Sequence, residues 1–367
     1  MIKSTKKSRW GTAAVFGAVV ALVLSGCATD SGADEKSSGY VEATSGELNF
    51  YTWSDYYPQE LIDKFKEDTG ITINIDYYDT NESLEAKLRA SNGAGYDVVV
   101  PGDYMVQILK DDGLLMEIDT TTFPNGGNIE PSFVDVYFDE GRKYSAPYLY
   151  GTTGFVFDSA VIPEADWPTS WADYFNPPAS AGGVGIMNDM VEGVNSALRV
   201  TGGEFCTTDG KQLQAAQDLL TSFKPRVGTI SSDGIIERVA AGEEVMAMMW
   251  NGAAYRAMQD RPTVQYVYPT EGMSLWQDNF VVPSGAVNVD QAKTFINWMM
   301  DPENMAIAVN AQGYASGITG TNEWMDPALA SSSAITMPAG YTGAKPVKPC
   351  NNEELSNYSK IWEAFKG

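Results

Sequence analysis

The chain has 367 residues, with 24 Lys and Arg against 48 Asp and Glu, a formal net charge of −24, and no histidine. The missing histidine excludes a Ser-His-Asp triad, a Cys-His pair and an HExxH zinc site, and so acidic a chain lacks the basic patches that nucleic-acid binding needs. A hydrophobic content of 44% supports a sizeable core, and the length suggests two domains.

The chain opens on a basic segment with Lys3, Lys6, Lys7 and Arg9, followed by an apolar run from Trp10 to Leu24. That run is shorter than the roughly 20 residues of a membrane-spanning helix and reads as a secretory leader. It ends in Leu24-Ser25-Gly26-Cys27, similar to the lipobox of bacterial lipoproteins, whose cysteine becomes the lipidated first residue. The alternative is an ordinary leader with an accidental cysteine. Residues 28–45, rich in Ser, Gly, Ala, Thr and acidic residues, read as a flexible tether.

From Glu47 onward strands and helices alternate. Glu47–Thr52 reads as a strand. Pro58 starts a helix with Leu61, Ile62 and Phe65 on its apolar face, and Gly70 ends it. Ile71–Tyr78 is a β-branched strand, and Asn81 is expected to cap the next helix. Asp97-Val98-Val99-Val100-Pro101 has the wholly apolar character of a buried parallel strand, with a helix following to Lys110. Gly185–Met187 leads into a helix at Val191–Arg199, and Glu244–Trp250 into one at Gly252–Asp260. Phe280-Val281-Val282-Pro283 precedes a helix at Val289–Met300. The pattern predicts an open α/β sheet with no long interior linker. Cys206 and Cys350 remain after Cys27, an even pair for which a bridge is predicted outside the membrane; two separate buried thiols are the alternative.

In open α/β sheets ligands bind beyond the carboxyl ends of the strands. Those positions hold Trp53-Ser54-Asp55-Tyr56, Pro101-Gly102-Asp103-Tyr104, Asn188 and Asp189 with Glu192 one turn on, and Trp250; Trp276-Gln277-Asp278 stands before the strand at Phe280. Lys and Arg are absent from all these segments. Carboxylates interleaved with aromatic faces suit an organic cation. Carboxylates pair with ammonium groups, each aromatic face adds ~0.5–2 kcal/mol of cation–π attraction, and flat walls bury methylenes at roughly 0.8 kcal/mol each. Each residue also has a plainer explanation. Asp189 and Asp55 could be helix caps, Trp250 and Trp276 core aromatics, and Tyr104 simple packing.

The segments Tyr51-Thr52-Trp53-Ser54-Asp55-Tyr56, Tyr96-Asp97-Val98-Val99-Val100-Pro101, Ala146-Pro147-Tyr148, Met249-Trp250-Asn251-Gly252 and Gly313-Tyr314 together resemble the periplasmic spermidine/putrescine-binding proteins of polyamine ABC importers, over about residues 46–320. The resemblance implies a two-lobe periplasmic binding protein fold (α/β, type II-like), each lobe an open mixed sheet flanked by helices. Lobe one would be 46–150 plus 278–322, and lobe two 151–277 plus 323–367. It further implies that Trp53, Ser54, Asp55 and Tyr56 form one wall, with Asp55 at an ammonium end, and that Tyr104 adds an aromatic contact. Asp189 and Glu192 would hold the other end, Trp250 and Trp276 would sandwich the chain, Asp278 would bind a nitrogen and Tyr314 would close the pocket. Gly102 and Ala315-Ser316 depart from the family pattern, and Asn351 or Asn352 are candidates for a C-terminal polar contact. Two carboxylate stations, Asp189 with Glu192 and Asp278, favour three ammonium groups over two.

The implied partners are a polyamine and a membrane permease with a separate ATPase subunit. The chain is expected to act without cofactor, as a monomer, held at the outer face of the cell membrane through lipid on Cys27. The rivals are a binding protein for a sugar, thiamine or ferric iron, a carboxylate-dependent glycoside hydrolase, and a structural or adhesive lipoprotein.

Overall fold

The computed structural model describes residues 39–54, 56–346 and 348–367. The leader, Cys27, most of the tether and Asp55 lie outside the described residues.

Strand β1 (Gly46–Trp53) leads through α1 (Gln59–Thr69) to β2 (Ile71–Tyr78), and α2 (Asn81–Ser91) leads to β3 (Val98–Val99) and α3 (Asp103–Asp111). A small hairpin of β4 (Asp135–Val136) and β5 (Asp139–Glu140) precedes the 14-residue β6 (Ser145–Asp158). There follow α4 (Trp171–Phe175), β7 (Val184–Ile186), α5 (Met190–Thr201), α6 (Gly210–Phe223), β8 (Val227–Ile230), α7 (Ile235–Ala241), β9 (Met246–Trp250) and α8 (Asn251–Asp260). The chain closes with β10 (Val264–Val267), β11 (Met273–Val281), α9 (Val289–Met299), α10 (Pro302–Gln312), β12 (Ala315–Ser316), α11 (Pro327–Ala330), β13 (Ala344–Pro346) and α12 (Asn352–Lys366).

The main sheet runs β2-β1-β3-β11-β6-β9-β7-β8, with β10 and β12 on β6 and β13 on β11. Strands β1, β2 and β3 are mutually parallel at one side, as are β7, β8 and β9 at the other. Antiparallel β6 and β11 lie between them and belong to both halves. Ser145–Pro147 pair with Val281–Asn279, Tyr150–Thr153 with Gln277–Ser274, and from Thr153 onward β6 also pairs with β9. Hydrogen bonding therefore runs unbroken from one half to the other, and the crossings are strands.

Local sequence explains most element ends. Gly70 stops α1 in the left-handed conformation at φ 73°. Asp189 caps α5 by accepting the Glu192 N–H. Two expectations are corrected. Thr80, not Asn81, caps α2, in a reciprocal capping box with Ser83; the Asn81 side chain instead accepts the Gly102 N–H at 3.1 Å. Trp276, Gln277 and Asp278 do not precede a strand but sit inside β11, whose register slips between Gln277 and Asn279.

The core follows the two halves. Phe50, Tyr57, Phe65, Tyr148, Phe280 and Phe295 interlock on one side. Phe155, Trp171, Tyr174, Phe175 and Phe223 do so on the other. Each such ring contributes about 1.5–3 kcal/mol by leaving water. Helix α12 packs on α5, where Gly193 leaves the space that the Trp362 ring fills; a Cβ there would lie 2.2 Å from it. The sulfur atoms of Cys206 and Cys350 lie at bonding distance beside α12, with Cα atoms 5.0 Å apart. Tyr358 adds to this anchorage, accepting the Cys206 N–H and donating to Asn195.

Candidate functional site

Between the two halves lies a cavity of about 590 Å³. Trp53, Ser54, Tyr56, Tyr104, Asp189, Glu192, Trp250, Trp276, Asp278 and Tyr314 all line it. These are all the expected ligand-binding residues that fall among the described residues.

Strand ends place the aromatic groups. The Trp53 indole N–H donates to the Val100 carbonyl at 3.0 Å, and its ring packs against Tyr78 with centroids 4.7 Å apart. Tyr314 meets Trp276 edge-on at 5.0 Å and Tyr56 at 6.0 Å, forming a three-ring corner. Two glycines make the corner possible. A Cβ on Gly151 would lie 2.6 Å from the Trp276 ring, and one on Gly252 2.4 Å from the Tyr314 ring. The indole nitrogen of Trp276 is buried with no hydrogen-bond partner, a donor left over at the cavity wall.

The carboxyls are held as firmly. Asp278 stands at the slip in β11, its backbone paired with Gly102 and the following Asn279 N–H bonded to Pro101 O at 3.0 Å. The bulge turns its side chain into the cavity, where it is 9% exposed and accepts the Tyr56 hydroxyl at 2.8 Å. Burial pushes its carboxyl up to about 7 against the opposing effect of that hydrogen bond. Glu192 accepts from Thr153 Oγ1 at 3.0 Å and Ser274 Oγ at 2.7 Å. Burial first, and the neighbouring Asp189 second, raise it above the usual carboxylate range. Burial raises Asp189 as well, while the N–H groups of its helix oppose the shift. Asp189 is thus both a cap and a wall of the cavity; the two explanations do not compete.

Several lining groups escaped the sequence reading. Asp79 and Asn81 follow β2, and Ser232 and Asp233 follow β8, so the strand-end rule reaches them if applied to those two strands. Asp103 stands in the quoted Pro101-Gly102-Asp103-Tyr104 segment, but no role is assigned to it there. Arg256 and Gln312 enter from the body of α8 and the end of α10, where no strand-end rule points. Arg256 brings a basic group to the cavity from outside the quoted segments; it donates to Gln312 Oε1 at 3.5 Å.

A second cavity of about 430 Å³ shares Trp53, Asp79, Asn81, Tyr104, Asp189, Ser232 and Trp250 with the first, and extends to Asn352, Ser356 and Glu363 of α12. Of the two C-terminal candidates, Asn352 lines it, while Asn351 caps α12. Glu82, raised by burial and by Asp189, accepts the Tyr104 hydroxyl here at 3.1 Å.

Chemically, the main cavity presents carboxyls of which the innermost are raised, and flat aromatic walls. Ionising those carboxyls costs free energy until a cation arrives. Among the described residues the one three-group cluster with metal-ligand spacing is Cys206, Cys350 and Glu354, whose thiols are paired with each other. No helix among the described residues is long and apolar enough to cross a membrane.

A family model described as bacterial extracellular solute-binding protein matches residues 60–337. The spermidine/putrescine-binding periplasmic protein of Escherichia coli is 32% identical over 322 residues, covering 87% of this chain and 90% of that one. Among solved structures, one from Listeria monocytogenes assigned to a spermidine/putrescine ABC transporter is 31% identical with a TM-score of 0.81, covering 87% of this chain and 98% of that one. The Tp0655 (TpPotD) lipoprotein of Treponema pallidum is 28% identical with a TM-score of 0.75, covering 87% and 99%. The expected two-lobe binding-protein architecture is therefore the fold of this chain. The family and these relatives bind or transport solutes, so the hydrolase reading is set aside.

Proposed function

The chain belongs to the bacterial extracellular solute-binding proteins, and from that membership we propose that it captures a polyamine, spermidine or putrescine, in the cavity between its lobes and delivers it to an ABC permease powered by a separate ATPase subunit. One observation carries this reading. The residues that the polyamine-binding resemblance picks out, scattered from Trp53 to Tyr314 in sequence, line one void, and the carboxyls deepest in it are held toward their protonated forms by burial.

The roles follow from the chemistry. The ligand arrives charged, because alkyl ammonium groups titrate far above neutrality, as lysine does. Asp278, backed by the Tyr56 hydroxyl, takes one nitrogen. Glu192 and Asp189 take another. Trp250, Trp276, Tyr314 and Trp53 cover the methylenes between, with Tyr104 and Ser54 beside them, and Asp55 is proposed for the same terminal nitrogen as Asp278. Three nitrogens fit these stations better than two. Micromolar binding needs about −8 kcal/mol, which a few desolvated ion pairs and an aromatic sandwich supply after the cost of closure.

The lobes are proposed as 46–150 with 278–322, and 151–277 with 323–367. The boundary on each crossing strand, Tyr150/Gly151 on β6 and Gln277/Asp278 on β11, falls where the two strands pair with each other and where β11 slips register. Closing the empty cleft either crowds ionised carboxylates together or makes them take up protons, and both cost free energy; a polycation neutralises them and the lobes rotate shut. The signal ending at Cys27 supports a lipid anchor at the outer face of the cell membrane, with a monomer as the working unit. That oxidising location suits a Cys206–Cys350 disulfide.

A thermal-shift panel tests the reading. Spermidine and putrescine are expected to raise the melting temperature, with sugars, thiamine and ferric iron without effect. A shift with a sugar, thiamine or iron and none with polyamines rejects it.

A further inference from the structure

The proposed nitrogen stations leave one buried acid without a role. Asp103 opens α3, is 4% exposed and lines the main cavity. It accepts the Tyr104 N–H at 2.8 Å and a hydrogen bond from Tyr137, which sits in the β4–β5 hairpin. A carboxylate has about four acceptor sites, so two remain. The other charges acting on it are Asp278 on β11 and Glu192 on α5, both acidic. Among the bases, Arg256 lines the same cavity and donates to Gln312. Arg142 donates to Phe133 O, Ser145 and Asn279, and Lys110 to Phe138 O. Across Tyr104, Glu82 is bonded to the Tyr104 hydroxyl.

Asp103 therefore lies within the field of both proposed nitrogen stations, whose Asp278 and Glu192 are the charges that act on it most. A Cβ on the neighbouring Gly102 would lie 3.1 Å from the Asn81 amide nitrogen and 3.5 Å from Asp278 Oδ1.

We propose that Asp103 is a further ligand-binding carboxyl, which takes the nitrogen lying between the stations at Asp278 and Glu192 and gives up its proton to solvent as that ammonium arrives. The step balances: a neutral carboxyl and a cationic ligand become an ion pair and one released proton. In the empty cleft burial holds this carboxyl at about 8, with Asp278 and Glu192 adding to the shift and the bonds from Tyr104 and Tyr137 opposing it. A neutral pH solution thus meets it mostly protonated. Three carboxyl stations match a triammonium chain and are in excess for a diammonium one, so Asp103 sets the preference for spermidine over putrescine. This rests on the polyamine reading of the cavity.

Titration calorimetry near pH 7 in two buffers of different ionisation enthalpy tests it, with spermidine and putrescine against the wild type, Asp103→Asn and Tyr137→Phe. The wild type is expected to release protons on binding spermidine. Asp103→Asn is expected to weaken spermidine about tenfold or more and putrescine less than about threefold, and to lower the proton release. Tyr137→Phe, which keeps the carboxyl, is expected to retain the spermidine preference. Carbon-13 spectra of labelled aspartate carboxyls in the wild type follow the same proton without any substitution, should Asp103→Asn not fold. Wild-type affinity and proton count in Asp103→Asn, or no aspartate ionising when spermidine binds, overturns the proposal while the polyamine reading stands. Failure of the wild type to bind either amine overturns both.

Discussion

At the scale of single residues, the site depends on small backbone irregularities that bring ordinary side chains together. Asp278 faces the cavity because β11 slips by one position there, and neither its identity nor its spacing foretells that. The aromatic corner is open to sequence reading only in part. Trp276 and Tyr314 stand out as rings, but their meeting depends on Gly151 and Gly252, whose missing Cβ atoms matter only once the chain is folded. Asp189 shows the reverse. Its capping role is legible, and the structure gives it both the cap and a place on the cavity wall. Asp278→Asn and Trp276→Ala are each expected to weaken spermidine at least about tenfold with the fold intact, an ion pair or an aromatic wall being worth a kcal/mol or more. Ligand-induced quenching of tryptophan fluorescence measures this, and an unchanged titration in both variants counts against the site.

At the scale of elements, the alternation of strands and helices was legible because turn signals and periodic apolar positions agree. Pro58 and Gly70 bracket α1, and Ile71–Tyr78 is a strand as expected. Boundaries were less legible where tertiary pairing decides them. The apolar run at residues 97–101 yields only Val98–Val99 as strand, because its pairing partners β1 and β11 meet it only there. The helix-borne lining groups Arg256 and Gln312 were invisible for a related reason: which helix face meets the cavity is set by packing between distant segments. The proposed Cys206–Cys350 disulfide ties the approach to α12 to the segment after α5, across 144 residues of sequence. Replacing both with serine is expected to destabilise the protein by about 2–5 kcal/mol. Spermidine affinity is expected to change less than in Asp278→Asn, because the bridge lies within one proposed lobe. Denaturant unfolding paired with ligand titration checks both; an affinity loss as large as that of Asp278→Asn would mean the bridge shapes the cleft.

At the scale of the whole molecule, buried acids couple ligand capture to stability. Folding raises Asp278 to about 7 and Asp103 to about 8, from the ordinary aspartate value of about 3.9. Between those limits the folded state keeps protons that the unfolded chain has lost. Stability of the ligand-free protein therefore falls as pH rises from about 4 to about 8, and this contribution is flat outside that window. Asp119, held below the usual range by its hydrogen bond to Lys143, acts only at more acidic pH and does not mask the effect. The rise in melting temperature caused by spermidine is accordingly expected to be larger at pH 8 than at pH 5. An equal or larger rise at pH 5 contradicts this.

The central claim is that a linear, multiply protonated amine lies in the cavity between the lobes, its nitrogens on buried carboxyls and its methylenes on aromatic faces. A crystal structure of the protein grown with spermidine tests it most directly. One nitrogen is expected within ion-pair distance of Asp278, another at Asp189 and Glu192, and the carbon chain between Trp250 and Trp276. Spermidine bound elsewhere, or a cavity that stays empty at saturating spermidine, would contradict it.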